Sequence, residues 1–184
     1  TLPQHEETTP LNSKLPYAIV KNLAEAYFRS YFDEHGLSYT IFRFFNTYGP
    51  NQSEDFVVPR FLKKALQNQP LQINGDGSQT RTFCYIDDNI DTIISCLEKH
   101  LYINDVLNIG SDVEYTIKEL ADMTIKTTKS KSIIEHLPPL KEGDMTRRQP
   151  DISKMKSALC RELIPIEDGL NVLTAHYLKK TESE

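Results

Sequence analysis

The sequence predicts an α/β protein, and three observations carry that prediction. An amphipathic stretch over residues 13–34 gives way within a few residues to a β-branched and aromatic run over 37–45. That is the helix-then-buried-strand order of α/β folds. Strand-like segments at 71–73 and 80–86 then precede a helical stretch ending near residue 99. Finally, after a strand-like 105–109, Thr116 and Glu119 form a capping box that opens another helix. In that motif two side chains three residues apart satisfy each other's free backbone N–H groups.

Taken in order, residues 1–12 are polar and proline-containing and read as a loop. Within 13–34, Leu23, Tyr27, Tyr31 and Ala24, Phe28, Phe32 recur at i, i+4, and Gly36 stands where a helix C-cap would. Residues 46–55, with Gly49-Pro50-Asn51, are loop, and 56–67 form a helix with Phe61, Leu62 and Leu66 inward. Asn74, Gly75, Asp76 and Gly77 are a tight-turn signal between two strands. A hairpin is therefore the expected reading, since a phosphate loop would join a strand to a helix. Asp87 and Asp88 are expected to cap the helix that follows, Asp88 as its N-cap. Beyond the helix at 116–127 come a strand at 132–136, a Pro- and Arg-containing loop at 137–150, and helices at 152–159 and 166–180.

Composition narrows the function. The chain has 184 residues, enough for a domain with its own core. A net charge of −5, with acidic and basic residues interleaved, argues against a phosphate-tracking nucleic-acid protein. No apolar run is long enough to span a membrane, and nothing resembles a signal peptide. Cys84, Cys96 and Cys160 form no CxxC, and the five histidines form no ligand-spaced pair, so neither a disulfide framework nor a metal site is expected. A reduced, cytoplasmic setting is expected, and a chain beginning at Thr1 is expected to be trimmed or partial.

Tyr17 and Lys21 form Y-x-x-x-K, which on a helix shares one face. A cation beside a phenol favours the phenolate, the form that takes a proton from an alcohol. The spacing alone fits better an exposed helix pair worth a few tenths of a kcal/mol.

Four segments occur together in order: LPYAIVKNLAE at 15–25, RFFNTYGP at 43–50, GDGSQTRTFCYIDD at 75–88 and RRQPDI at 147–152. This set resembles the extended short-chain dehydrogenase/reductase family, specifically its nucleotide-sugar epimerases, 4,6-dehydratases and UDP-glucuronate decarboxylases. The resemblance covers essentially the whole chain. It implies the C-terminal portion of a Rossmann-like doubly wound fold plus a small mixed α/β substrate-binding domain. Residues 1–50 would end the Rossmann-like domain, with 105–110 as a returning strand, and 51–184 would mainly bind the nucleotide-sugar.

By the same resemblance Tyr17 is the catalytic base, and Lys21 supports it and holds the nicotinamide ribose of NAD, with Phe44 also at the cofactor. Asn46, Val58, Gln79, Arg81 and Arg148 would meet a UDP- or dTDP-sugar. The two arginines would clamp its diphosphate, Arg147 being the less suited. The sugar C4 hydroxyl would be oxidised, in surface-polysaccharide or nucleotide-sugar biosynthesis, and a homodimer built partly on the 13–34 helix is implied.

The sequence departs from the family in having no GxxGxxG after a strand and no hydroxyl partner for the tyrosine, so the chain alone is expected to be inactive. Asn51-Gln52 follows Tyr-Gly-Pro, where the decarboxylases place an arginine, while the Arg-x-Pro-Asp-Ile segment is closer to theirs. A decarboxylase, an NADP(H)-dependent carbonyl reductase and a non-catalytic nucleotide-sugar-binding fragment are the alternatives.

Overall fold

The computed structural model describes residues 16–139 and 149–181. Helix α1 (Pro16–His35) stops at Gly36, which adopts φ +67° and donates its N–H to the Phe32 carbonyl at 2.8 Å. That left-handed C-cap is one a side chain would strain. Strand β1 (Thr40–Phe44) follows and pairs in parallel with β6 (Asp105–Ile109), Thr40 opposite Asp105 and Phe44 opposite Ile109. The start of this pair is clamped at Asn104, whose side chain accepts from the Tyr39 N–H at 3.1 Å and whose own N–H reaches the Tyr39 carbonyl at 2.6 Å.

Three further strand pairs complete the described sheet structure. Strand β2 (Thr47–Tyr48) lies parallel to β5 (Cys84–Tyr85), and β3 (Leu71–Asn74) lies parallel to β8 (Ile134–Leu137). Strand β4 (Thr80–Thr82) runs antiparallel to β7 (Glu114–Thr116). Helices α2 (Val57–Leu66), α3 (Ile86–Glu98), α4 (Ile117–Thr128), α5 (Ser153–Leu159) and α6 (Ile166–Thr181) cover them. The result is the mixed α/β architecture that the alternation of elements predicts.

The main core joins the inner faces of α2, α4 and α6 to β3, through Phe61, Leu62, Leu120, Leu170, Leu173, Leu71 and Ile73. A second cluster under β6 joins Ile109 to Ile152 and Met155 of the α5 region. Helix α1 buries no residue. Its Ile19, Val20, Leu23, Tyr27, Phe28, Tyr31 and Phe32 are all exposed, although Phe28 and Phe32 touch the Tyr39 ring at centroid distances of 6.3 and 6.2 Å.

Two local expectations are corrected. Gly75 and Gly77 take φ of +67° and +77°, as a tight turn requires, but no hairpin forms. Strand β3 spends its edge on β8, while the Gly77 carbonyl accepts from the Lys118 N–H at 3.1 Å and delivers β4 to β7. The expected strand over 80–86 is accordingly split at Phe83 into β4 and β5, which belong to different sheets. The second correction concerns α3. Its N-cap is Tyr85, with no side-chain cap, and Asp88 sits inside the first turn.

Candidate functional site

Tyr17 and Lys21 lie in the first turns of α1, with the Lys21 ammonium 5.5 Å from the centre of the Tyr17 ring. Tyr17 is 75% exposed. Two turns further along the same i, i+4 stripe, Glu25 accepts two hydrogen bonds of 2.7 Å from the Arg43 guanidinium on β1, and Arg29 adds a contact at 3.5 Å. This bidentate pair is the geometry that fixes a guanidinium fork against a carboxylate, and it sets which face of α1 meets the strand. The short link from Gly36 to Thr40 turns the chain back on itself. Tyr17 therefore lies about 12 Å beyond Glu25 along the helix axis, and Asn46 about 10 Å beyond Arg43 in an extended chain. Asn46 lies just beyond the carboxyl end of β1, two residues after Phe44.

That end is where α/β sheets bind ligands. Phe44, half exposed, closes β1, and Asn46 follows in a left-handed conformation with φ 42°. Among the described residues, the buried Nδ2 group of Asn46 has no partner, and neither has Oε1 of Gln52. Because buried polar groups are normally bonded, an orphaned donor and an orphaned acceptor on one short loop mark a place where a polar ligand fits. The backbone of the loop is fixed. Cys84 donates its N–H to the Asn46 carbonyl at 3.2 Å, Gln52 Nε2 donates to the Thr47 carbonyl at 2.8 Å, and Asn89 Nδ2 donates to Thr47 Oγ1 at 2.6 Å.

From the other parallel strand, Gly110 approaches the same end so closely that a Cβ there would stand 3.0 Å from both Phe45 Cβ and Pro150 Cγ. Gln149 Nε2 donates to the Asp112 carbonyl at 3.0 Å, so the chain re-enters beside the end of β6. Arg147 and Arg148 lie outside the described residues.

The remaining sequence-predicted residues are distributed as follows. Arg81, half-buried on β4, donates to the Thr80 carbonyl at 2.7 Å and sits opposite Tyr115. Gln79 Nε2 reaches the Asn74 carbonyl at 3.3 Å, next to the Gly75–Gly77 turn. Val58 is 1% exposed and part of the main core, so the structure does not present it to a ligand.

Asp88 has a different role from a cap. It is 1% exposed and accepts from Arg161 Nη1 at 2.6 Å and from the Ile164 N–H at 3.0 Å, tying α3 to the segment between α5 and α6. Burial nevertheless holds its carboxyl above the usual aspartate range. Burial, and then Asp88, likewise push the Cys84 thiol far up, so it stays an S–H and donates to Asn89 Oδ1 at 2.9 Å. The sequence reading missed Asn89, Cys84 and Gln52. The one available signal was a polar Asn at a position of α3 that turns inward.

Residues 1–110 match the family described as NAD dependent epimerase/dehydratase. The chain belongs to that family. Zebrafish (Danio rerio) UDP-glucuronic acid decarboxylase 1 is 32% identical over 189 residues, an alignment covering 99% of this chain and 44% of that protein. Among solved structures, the UDP-glucose 4-epimerase of Thermotoga maritima, determined with UDP-glucose, superposes with a TM-score of 0.87 at 32% identity. That match covers 98% of this chain and 58% of that one. The UDP-glucuronic acid 4-epimerase of Bacillus cereus, in complex with UDP-glucuronic acid and NAD, gives 0.79 at 32% identity, covering 94% and 54%. The chain thus spans about half the length of these family members. Among its described residues, the Tyr17 phenol and Lys21 ammonium, side by side on α1, are groups of the kind that could bond the hydroxyls of a dinucleotide's ribose. The Gly75–Gly77 turn links strands from two different sheets and does not open a helix, so it offers no pyrophosphate seat.

Proposed function

We propose that this chain is the substrate-side part of an NAD-dependent nucleotide-sugar epimerase or dehydratase, with Tyr17 as the base acting at the sugar C4 hydroxyl. The observation that carries the reading is the Glu25–Arg43 anchor. It ties α1, which carries Tyr17 and Lys21, to β1 three residues before Asn46, whose amide has no partner among the described residues, and so supports a common site for the three. Bound NAD supplies a hydride acceptor for C4. The tyrosinate takes the hydroxyl proton, and Lys21 stabilises the anionic phenolate and holds the nicotinamide ribose. Asn46 binds the sugar or its diphosphate, Phe44 flanks the nicotinamide, and the Arg81 and Arg148 guanidinium groups clamp the diphosphate. The 51–184 portion is mainly the nucleotide-sugar platform.

The test is Tyr17→Phe in the intact enzyme. General-base catalysis contributes at least about 10²-fold, so turnover should fall by that factor or more while UDP-sugar binding persists. Turnover near that of the wild type would remove Tyr17 from the mechanism. Besides Tyr17, seven large apolar side chains exposed on α1 support a homodimer across this helix. Light scattering should then return twice the monomer mass, and a monomer would exclude that arrangement.

A further inference from the structure

Asn89 is 1% exposed, and its carboxamide is used at both ends. Nδ2 donates to Thr47 Oγ1 at 2.6 Å, and Oδ1 accepts from the Cys84 thiol at 2.9 Å. Which end faces which partner is fixed by chemistry. A thiol that stays protonated is a donor and needs an oxygen, which leaves the NH₂ group for the threonine hydroxyl. Cys84 in turn donates its backbone N–H to the Asn46 carbonyl at 3.2 Å. The register of β2 and β5 places Thr47 directly opposite Cys84. The amide therefore bridges the residue that follows Asn46 to the residue that holds the Asn46 carbonyl.

A buried carboxamide is costly unless bonded, and an apolar side chain of equal volume would fill the same space. What the amide adds is direction. Asn46 occupies a left-handed conformation, with φ 42°, that asparagine tolerates better than most side chains. Its carbonyl is held by the Cys84 N–H, inside the strand pair that Asn89 braces through Thr47 and Cys84, while its own Nδ2 has no partner among the described residues.

We infer that Asn89 is a positioning residue for ligand binding: acting through Thr47 and Cys84, it holds Asn46 with its amide presented to the nucleotide-sugar. The inference rests on the reading of Asn46 as a substrate contact, and the experiment separates the two. In the intact enzyme, calorimetric titrations with UDP-glucose and dTDP-glucose identify the tighter probe, which is then used throughout. Asn46→Ala should weaken it. Asn89→Leu should weaken it about five- to tenfold, the loss expected from disordering one hydrogen-bonded contact. Affinity for NAD should be unchanged, as a merely unfolded fraction would not leave it.

Thr47→Val deletes the same hydrogen bond from the other end at nearly constant volume and should reproduce the loss if the leucine variant fails to fold. The deciding result is the double variant. Asn46→Ala with Asn89→Leu, or with Thr47→Val, should bind no more weakly than Asn46→Ala alone, because the second residue acts only through the first. If Asn46→Ala leaves affinity unchanged, the substrate reading of Asn46 fails and the positioning role fails with it. If Asn46→Ala weakens binding but Asn89→Leu and Thr47→Val do not, or if their effects add, the positioning role alone is refuted.

Discussion

Gly169, in the first turns of α6, is occupied at the Cβ position by a neighbouring tyrosine. A methyl group built there would overlap Tyr48 Oη and stand 2.8 and 2.9 Å from its Cζ and Cε2. Two effects oppose each other in Gly169→Ala. Alanine favours the helix over glycine by up to about 1 kcal/mol. Against that, overpacking a filled core costs typically about 1–3 kcal/mol. The upper end applies here, because Tyr48 cannot swing away. It is 1% exposed, with the Phe83 and Tyr85 rings at 6.5 and 5.4 Å, and the other party to the clash is helix backbone.

The net expectation is a loss of about 2 kcal/mol, or roughly 4–8 °C in thermal midpoint for a chain of this size. Urea unfolding followed by circular dichroism measures it. Tyr48→Phe alone should be neutral or stabilising by up to about 1 kcal/mol, because it removes a buried hydroxyl that has no partner among the described residues. Combined with Gly169→Ala it should recover only part of the loss, since the ring carbons remain too close. A Gly169→Ala protein as stable as the wild type would refute the close-packing argument.

Two further outcomes are expected. Thr116→Ala should cost about 1 kcal/mol by removing the α4 cap. Hydrogen bonds from the Thr116 N–H and hydroxyl hold the Glu119 carboxyl below its ordinary value of 4.5. Its contribution is thus complete above that value and is lost as the pH falls through the lowered native one. Glu119→Gln should flatten that part of the stability–pH curve, and an unchanged curve would exclude the capping carboxylate as its source. Arg161→Ala should strand the buried Asp88 carboxylate. Breaking a buried pair costs about 3–5 kcal/mol, but water reaches the half-exposed guanidinium and the Ile164 N–H remains, so about 2 kcal/mol is expected. Adding Asp88→Asn should restore part of it in chemical denaturation, and no restoration would mean that Arg161 acts through packing alone.

The sequence was most informative where a signal is local. The Gly36 cap, the Thr116–Glu119 box and the strands at 40–44 and 105–109 each follow from residues within one turn or one strand. It was least informative where pairing decides the outcome. Nothing in Asn74-Gly75-Asp76-Gly77 distinguishes a turn joining partners from one separating them, because the partner of β3 lies beyond residue 130. Asp88 failed for a related reason. A carboxylate in a first turn reads as a cap until Arg161, 73 residues away, is brought to it. At the candidate site, the i, i+4 spacing of Tyr17 and Lys21 was visible, but their orientation depends on the Glu25–Arg43 pair. The role of Asn89 depends on a strand register that no single segment encodes.

That register has a kinetic side. Contacts between the β1 and β6 neighbourhoods bridge 65 residues, as from Tyr39 to Asn104, and those between β3 and β8 bridge 63, as from Gln72 to Glu135. The two closures interlace, since β3 lies inside the span of β1–β6 and β8 lies outside it. Neither can be completed as an independent hairpin, and each carries the loop-closure entropy of a long segment before its contacts repay it. A polypeptide emerging from the ribosome therefore has to wait for residues 134–137 before β3 finds its partner, although every strand of the candidate ligand edge has by then been made. The loop of Asn46, held by Gln52, Cys84 and Asn89, therefore has its partners in the chain before β3 has found its own.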